Sequence, residues 1–555
     1  MSSIASLKQQ PQTEAERADW WRGAVIYQIY PRSFADSNGD GIGDLNGITR
    51  HLDHVADLGA DAIWVSPFFT SPMRDFGYDI SDFRGVDPIF GSLDDFDALV
   101  ERAHALGLKV MIDQVWSHSS NQHPWFEESR QSRDNPRADW YVWADPRPDG
   151  APPTNWQSIF GGSAWQWDTR RCQYYLHNFL IEQPDLNFHH PEVVTAILEE
   201  VRFWLERGVD GFRLDAINFC THGELKDNPP RREIAEGFIG VRPDNPYGYQ
   251  QHLHDKTQPE NLAVLERLRS LLDEYPGTTS VGEVGDDDSL RVMAEYTRGD
   301  QRLHMAYSFD LLTENASPGH LLATLQTMEA QIGDGWPCWA LGNHDVTRLA
   351  TRWDAEASPA RLRLYLAFLL TQRGSVCLYQ GEELGLSEAQ LRHDQLVDPA
   401  GITFWPRYKG RDGCRTPMPW QAGESHAGFS RVSPWLPVPD FHHALAVDHQ
   451  EHDPASLLNA SRELLAFRRR HPALSRGEIH FHSLHEEVIC FTRLSGGESL
   501  LIALNFSAQA LTLETAWRAE ALEDAPGMIN GHWQAGRLTL PPHGVAIARC
   551  VGEVH

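Results

Sequence analysis

The stretch "GVDGFRLDAI", residues 208–217, begins as an apolar run and ends in charge. Val209, Phe212 and Leu214 suit a parallel strand buried on both faces. Arg213 and Asp215 then fall at its C-terminal end. Seven further runs share this character. They are "AVIYQIY" from Ala24, "DAIWVSP" from Asp61, "KVMIDQVW" from Lys109, "TSVGEV" from Thr279, "MAYSFD" from Met305, "CWALGNHD" from Cys338 and "SVCLYQGEE" from Ser375. Amphipathic helices separate them. Ile48, Leu52, Val55 and Leu58 form one stripe, closed by Gly59. Ser92 and Asp95 spell a capping box ahead of Phe96, Leu99, Val100 and Ala103. Pro191 sits where a first helical turn accepts it, before Val193, Val194, Ile197, Val201 and Trp204. Eight such repeats predict an α/β fold, the (β/α)8 TIM barrel. A doubly wound sheet is the alternative, but it would lack a dinucleotide fingerprint here.

Two stretches break the rhythm, at 117–182 and at about 382–440. Both leave the barrel at C-terminal strand ends, the face on which such folds build their sites. After "ASLLNASRELLAFRRRH" the pattern changes to short strands: "VICFTRL", "SLLIALNFS", "ALTLET" and "HGVAIARCV". The expected organisation is a barrel over 20–116 and 183–472, with a subdomain insertion at about 382–440. A loop-rich inserted domain spans 117–182, and a C-terminal antiparallel β-sandwich spans 473–555.

The strand ends gather a particular chemistry. Asp113 and His118 follow the third strand, Arg213 and Asp215 the fourth, Glu283 the fifth, and His344 and Asp345 the seventh. Carboxylates so close must be balanced by charge or hydrogen bonds. Retaining cleavage of a glycosidic bond needs such a set. One carboxylate attacks the anomeric carbon, and a second carboxyl group with a raised pKa protonates the leaving oxygen.

The motifs "DQVWSH", "GFRLDAINF", "GEVGDDD" and "LGNHD" resemble the four conserved regions of the α-amylase superfamily, glycoside hydrolase family thirteen. "QPDLNF" and "RTPMPW" resemble signatures of its α-glucosidase and oligo-1,6-glucosidase subgroup. All six stand in order, and the likeness runs from Trp20 into the C-terminal β domain. The resemblance implies Asp215 as nucleophile, Glu283 as general acid/base and Asp345 as the residue that binds sugar hydroxyls and stabilises the transition state. It implies that Arg213 orients Asp215 and that His118 and His344 hydrogen-bond glucose. Tyr78 would stack under the sugar ring. Asp79 and Arg411 would grip the non-reducing end, with Arg415 as the competing arginine. Ser117 departs from the pattern, since many relatives carry Asn there. Ala216, which follows the nucleophile, would face the scissile bond. In the subgroup Val there accompanies α-1,6 activity, so Ala216 predicts an α-1,4 preference.

"DSNGDGIGDL", residues 36–45, places Asp36, Asn38, Asp40 and Asp44 at alternate positions, with the Ile42 carbonyl between them. The bidentate Glu of a calcium sensor is missing, because Gly47 stands at the twelfth position. A structural Ca²⁺ is expected, with Mg²⁺ as the alternative ion and an ion-free Asx-rich turn as the plain reading. The resemblance points to the same loop.

A net charge of −29 argues against nucleic acid and anionic membranes as partners. No apolar leader or membrane-length run appears in the sequence. The seven Cys are scattered without metal spacing, as in a reduced, cytoplasmic protein. The expected partners are small α-glucosides and hydroxyl acceptors, and the expected state is a monomer or homodimer.

These observations predict a retaining, exo-acting α-glucosidase acting on maltose, sucrose or isomaltose, with transglucosylation. The enzymatic rival is a dedicated α-glucosyltransferase or sugar isomerase on the same scaffold. The non-enzymatic rival is an inactive barrel subunit of a transporter, which need not keep Asp215, Glu283 and Asp345.

Overall fold

The structure is a computed structural model and describes residues 18–231 and 245–551. Most of the N-terminal stretch read as leaderless, residues 1–17, lies outside the described residues. So do residues 552–555 of the expected C-terminal domain.

All eight expected strands form. They are β1 Val25–Ile29, β2 Ala62–Val65, β3 Lys109–Val115, β4 Gly211–Asp215, β5 Thr279–Val284, β6 Met305–Ser308, β7 Cys338–Ala340 and β8 Ser375–Tyr379. They pair in parallel in the order β6-β5-β4-β3-β2-β1-β8-β7. Among the described residues the β6–β7 seam closes through one bridge, Ala306 to Pro337. Proline brings no N–H to that seam. Ile26, Trp64, Met111, Val281 and Met305 fill the inside of the barrel. The outer faces of the strands pack on the helices, which is why the runs read apolar throughout.

The helices begin and end where the sequence provides caps. Asp44 accepts from the Gly47 N–H at the head of α1, Leu45–Leu58, and Gly59 ends it with φ 98°. Both halves of the Ser92–Asp95 capping box form before α2, Leu93–Ala105. Pro191 opens α3, Pro191–Glu206, which buries Val193, Ile197, Val201 and Trp204. Helices α4 Asn261–Leu272, α5 Ser289–Thr297, α6 Pro318–Ile332, α7 Pro359–Thr371 and α8 Leu457–Arg470 complete the outer layer.

The first insertion carries a small sheet with Gln173–Leu176 between Trp143–Ala144 and Trp165–Asp168. Bridges from His118 to Asp185 and from Tyr141 to Leu186 tie it to the barrel. The second insertion contains helical turns such as Pro399–Thr403 and packs around Leu391 and Leu436.

The C-terminal strands are β9 Glu478–His485, β10 Val488–Ser495, β11 Glu498–Asn505, β12 Leu511–Glu514, β13 Arg518–Ala521, β14 His532–Gln534, β15 Arg537–Leu540 and β16 Val545–Val551. They form two antiparallel sheets, β9-β10-β11-β16-β13 and β12-β15-β14. Leu501, Ala503, Leu538 and Leu540 lie in one core. Two buried arginines join this domain to the barrel. Arg493, on β10, donates to the carbonyls of Thr371 at 2.5 Å and Gly477 at 2.9 Å. Arg468, on α8, donates to Leu370 at 2.6 Å, Leu474 at 2.8 Å and Gly374 at 2.9 Å.

Candidate active site

The pocket at the C-terminal mouth of the barrel is built from strand ends, the loop after β2 and both insertions. The loop after β2 supplies Asp75 and Tyr78, and the segment after β3 supplies His118. The first insertion adds Phe160 and Phe179. Strand ends contribute Asp215, Ala216, Glu283 and Asp345. The second insertion closes the ring with Phe404, Tyr408 and Arg411.

Arg213 is the electrostatic centre and has no exposed surface. Its Nη1 donates to Asp215 Oδ1 at 2.5 Å and to Asp113 Oδ1 at 2.9 Å. Its Nη2 pairs with Glu283 Oε1. One rigid guanidinium therefore bridges three carboxylates. Strand register makes this possible, because Arg213 lies beside Asp113 on β3 and Val281 on β5.

Glu283 accepts from the Tyr307 hydroxyl at 2.8 Å through Oε1 and from the Ala216 N–H at 3.0 Å through Oε2. Ala216 holds a left-handed conformation, φ 41°, which turns that amide toward the carboxylate. Asp215 is 9% exposed and Glu283 6%. Burial, then the balance of Arg213 against neighbouring carboxylates, pushes both up to about 7. Mutual repulsion disfavours ionising both, so the pair tends to keep a proton near neutrality.

Asp345 is held the other way. Burial alone would raise it, but His344, Arg411 and Arg415 outweigh that and keep its carboxyl well below the usual range. Arg411 Nη1 and Arg415 Nη2 reach Asp345 Oδ1 at 3.2 and 3.0 Å.

Arg411 also donates to Asp75 Oδ1 at 2.7 Å and to Asp398 Oδ1 at 2.6 Å. This corrects one expectation. Asp75, rather than Asp79, meets Arg411 at the pocket wall. Asp79 is fully buried, and its oxygens accept from the backbone N–H groups of Arg74 and Asp75 and from the Ser71 hydroxyl. It shapes the turn that presents Asp75.

His344 and Arg213 lie one layer behind the pocket surface. The Tyr78 ring stacks on His344 at 5.3 Å, and its hydroxyl reaches His344 Nε2 at 2.5 Å. His118 lines the pocket, with Ser117 Oγ 2.9 Å from Nδ1 and the Tyr78 carbonyl 3.0 Å from Nε2. Burial lowers its pKa to about 4, so the ring is neutral. Sequence reasoning missed Asp75, Tyr307 and Asp398. Asp75 lies within the same "DFGYD" motif, whereas Tyr307 and Asp398 carry no motif signal.

The 36–45 loop stands apart from these groups. Asp36 accepts from the N–H groups of Gly39 at 2.6 Å and Gly41 at 2.9 Å. Asn38 accepts from the Asp40 N–H, and Asp40 accepts from the Ile42 N–H. Asp44 caps α1 and accepts from the Ser37 N–H. By donor type, three carboxylates, an amide oxygen and a backbone carbonyl, the loop fits a hard cation. In the described geometry its side chains hydrogen-bond the loop's own N–H groups. Among the described residues no group of three or more His, Cys, Asp or Glu side chains is arranged to hold a metal ion.

Residues 28–477 match the α-amylase catalytic domain, and residues 480–547 match the maltogenic amylase C-terminal domain. The chain belongs to the α-amylase family. A probable α-glucosidase of Rhizobium meliloti (strain 1021) is 56% identical over 514 residues, covering 91% of this chain and 93% of that protein. Among solved structures, the α-glucosyl transfer enzyme XgtA superposes with TM-score 0.93 at 57% identity, covering 96% of this chain and 99% of that one. The trehalulose synthase MutB of Pseudomonas mesoacidophila MX-45 superposes with TM-score 0.85 at 32% identity, covering 96% and 99%. This α-amylase family member is thus an enzyme of the α-glucosidase group. No helix among its described residues is long and apolar enough to cross a membrane.

Proposed function

We propose that the protein is a retaining, exo-acting α-glucosidase that cleaves short α-glucosides through a glucosyl–Asp215 intermediate and also transfers glucose to hydroxyl acceptors. The observation that carries this reading is Arg213. It binds Asp215 and Glu283 together beside a pocket walled by the Asp75–Arg411 pair. Two carboxylates bridged by one guanidinium suit the short separation of retention, about 5–5.5 Å. The wall pairs two loops across the pocket and would stop a chain from running through, which favours a terminal glucose.

In the first step an Asp215 oxygen attacks the anomeric carbon as the glycosidic C–O bond breaks. Glu283 gives its proton to the departing oxygen. In the second step ionised Glu283 takes a proton from water or a sugar hydroxyl, whose oxygen displaces Asp215 from the anomeric carbon. Asp345, kept ionised by Arg411 and Arg415, accepts from glucose hydroxyls and stabilises the developing positive charge. Tyr78 and His118 line the glucose site. Proton NMR of p-nitrophenyl α-glucoside hydrolysis should show the α-anomer of the released glucose first. Initial appearance of the β-anomer overturns retention.

The likeness to a glucosyl transfer enzyme favours a second reading, dedicated transfer. Free glucose falling from two toward one per maltose consumed, as acceptor concentration rises, would select it. The linkage reading rests on Ala216 in the pocket wall. Two added methyl groups are worth about 1–3 kcal/mol of discrimination. Wild type should therefore favour maltose over isomaltose in kcat/KM, and Ala216→Val should raise the relative isomaltose value. Equal ratios in both proteins remove Ala216 as the determinant.

The 36–45 loop is proposed to hold a structural Ca²⁺ through Asp36, Asn38, Asp40, the Ile42 carbonyl and Asp44, with Mg²⁺ as the alternative. Such an ion would stiffen the first β/α loop. Chelation should lower the melting temperature more than the initial rate. An immediate stop in catalysis with unchanged melting contradicts a structural role.

A further inference from the structure

Tyr307 is on β6, and its backbone register pairs it directly with Glu283 on β5. Its side chain is buried and does not line the pocket. The hydroxyl nevertheless has three partners. Arg213 Nε and Nη2 lie at 3.2 and 2.8 Å, and Glu283 Oε1 lies at 2.8 Å. A guanidinium only donates, so Oη accepts both arginine bonds. The single hydroxyl proton then points at Glu283 Oε1.

Oε1 also meets Arg213 Nη2, so two donors converge on that oxygen. Oε2 meets one, the Ala216 N–H. A proton on Oε1 would face both of the converging donors. A proton on Oε2 keeps both bonds to Oε1 intact.

We propose that Tyr307 is a positioning residue that directs the exchangeable proton of Glu283 to Oε2 and stabilises the carboxylate left after the proton departs. This rests on the reading of Glu283 as acid/base. The other charged groups facing Glu283 are Arg213 and Asp215 on β4 and Asp345 after β7, with Asp113 on β3 acting through Arg213. Removing the hydroxyl leaves these charges in place, takes from Arg213 the acceptor of its Nε and one Nη2 bond, and deletes one donor to the ionised form. The Glu283 pKa should therefore rise. The limb of the kcat/KM profile that falls as Glu283 loses its proton should move to higher pH.

Tyr307→Phe tests this with maltose and α-glucosyl fluoride, whose leaving group needs little acid assistance. The variant should lose about tenfold in kcat/KM on maltose at neutral pH and keep most activity on the fluoride, with the descending limb raised by about one pH unit. Equal losses on both substrates with an unmoved limb overturn the proposal and leave Tyr307 a packing residue. Glu283→Gln separates the two readings. If it turns over maltose as wild type does, the acid/base reading and this proposal both fail. If it shows the acid defect while Tyr307→Phe behaves as wild type, this proposal alone fails. Should the Phe variant not fold, neutron diffraction of the unaltered protein decides. The Tyr307 deuteron should lie toward Glu283 Oε1, and any carboxyl deuteron on Oε2. A deuteron carried by Oε1 overturns it.

Discussion

Glu283 costs the fold something that its chemistry requires. Its folded pKa, about 7, lies above its usual value. A group raised in this way contributes stability that is full below the unfolded pKa and is lost as pH rises through the folded one. At pH 8 the buried carboxylate is therefore a liability. Glu283→Gln should raise the melting temperature at pH 8, by the equivalent of roughly 1–3 kcal/mol, while abolishing maltose turnover. At pH 4 the stability difference should largely vanish, and calorimetry at both pH values checks the sign. Asp75 and Asp79 offer a second contrast. Asp75→Asn should weaken the pair with Arg411 and raise KM for maltose by tenfold or more, an expectation of about 1.5–3 kcal/mol. Asp79→Asn should act first on stability. Sequence alone does not separate these aspartates, which flank Gly77 in one motif. The outcome depends on positive φ angles at Phe76, 50°, and Gly77, 109°, which residue spacing does not report. Tyr307 was illegible for a related reason. Inside a strand, an aromatic residue that packs and one that positions a proton look alike.

At the scale of the element, the eight strands were legible because burial on both faces leaves an uninterrupted apolar signature, as in the wholly buried β1 and β5. The caps of α1 and α2 were legible because Gly59 and the Ser92–Asp95 pair each have a specific local role. The turn after β4 was less so. Ala216 takes φ 41°, a conformation that costs a non-glycine residue about 1–2 kcal/mol. That strained residue presents the N–H that holds Glu283 Oε2. Ala216→Gly should relieve strain, gaining up to about 1 kcal/mol in denaturant unfolding with the hydrogen bond retained. Ala216→Val adds branching at positive φ and should melt lower than wild type even where it improves isomaltose cleavage. The two substitutions thus separate backbone strain from linkage choice.

Over the whole molecule, the barrel and the C-terminal domain are joined by ion pairs such as Arg470–Asp524 and by buried donors that meet carbonyls. Arg493 reaches Thr371, the last residue of α7, and Gly477 just before β9. Arg493→Leu leaves those buried oxygens without this donor and should cost about 2–5 kcal/mol. Its effect should appear as earlier melting of the C-terminal domain, with maltose kcat/KM at 25 °C within about twofold of wild type because the pocket lies elsewhere. The barrel seam has a different reach. Eight strands joined edge to edge make a hoop, and a hoop yields where its joint is slackest. Here that joint is the Ala306–Pro337 bridge, on the strand that carries Tyr307. Loosening there disturbs the partner of the acid first. Asp215, two strands away around the hoop, is braced by pairings on both sides of its strand.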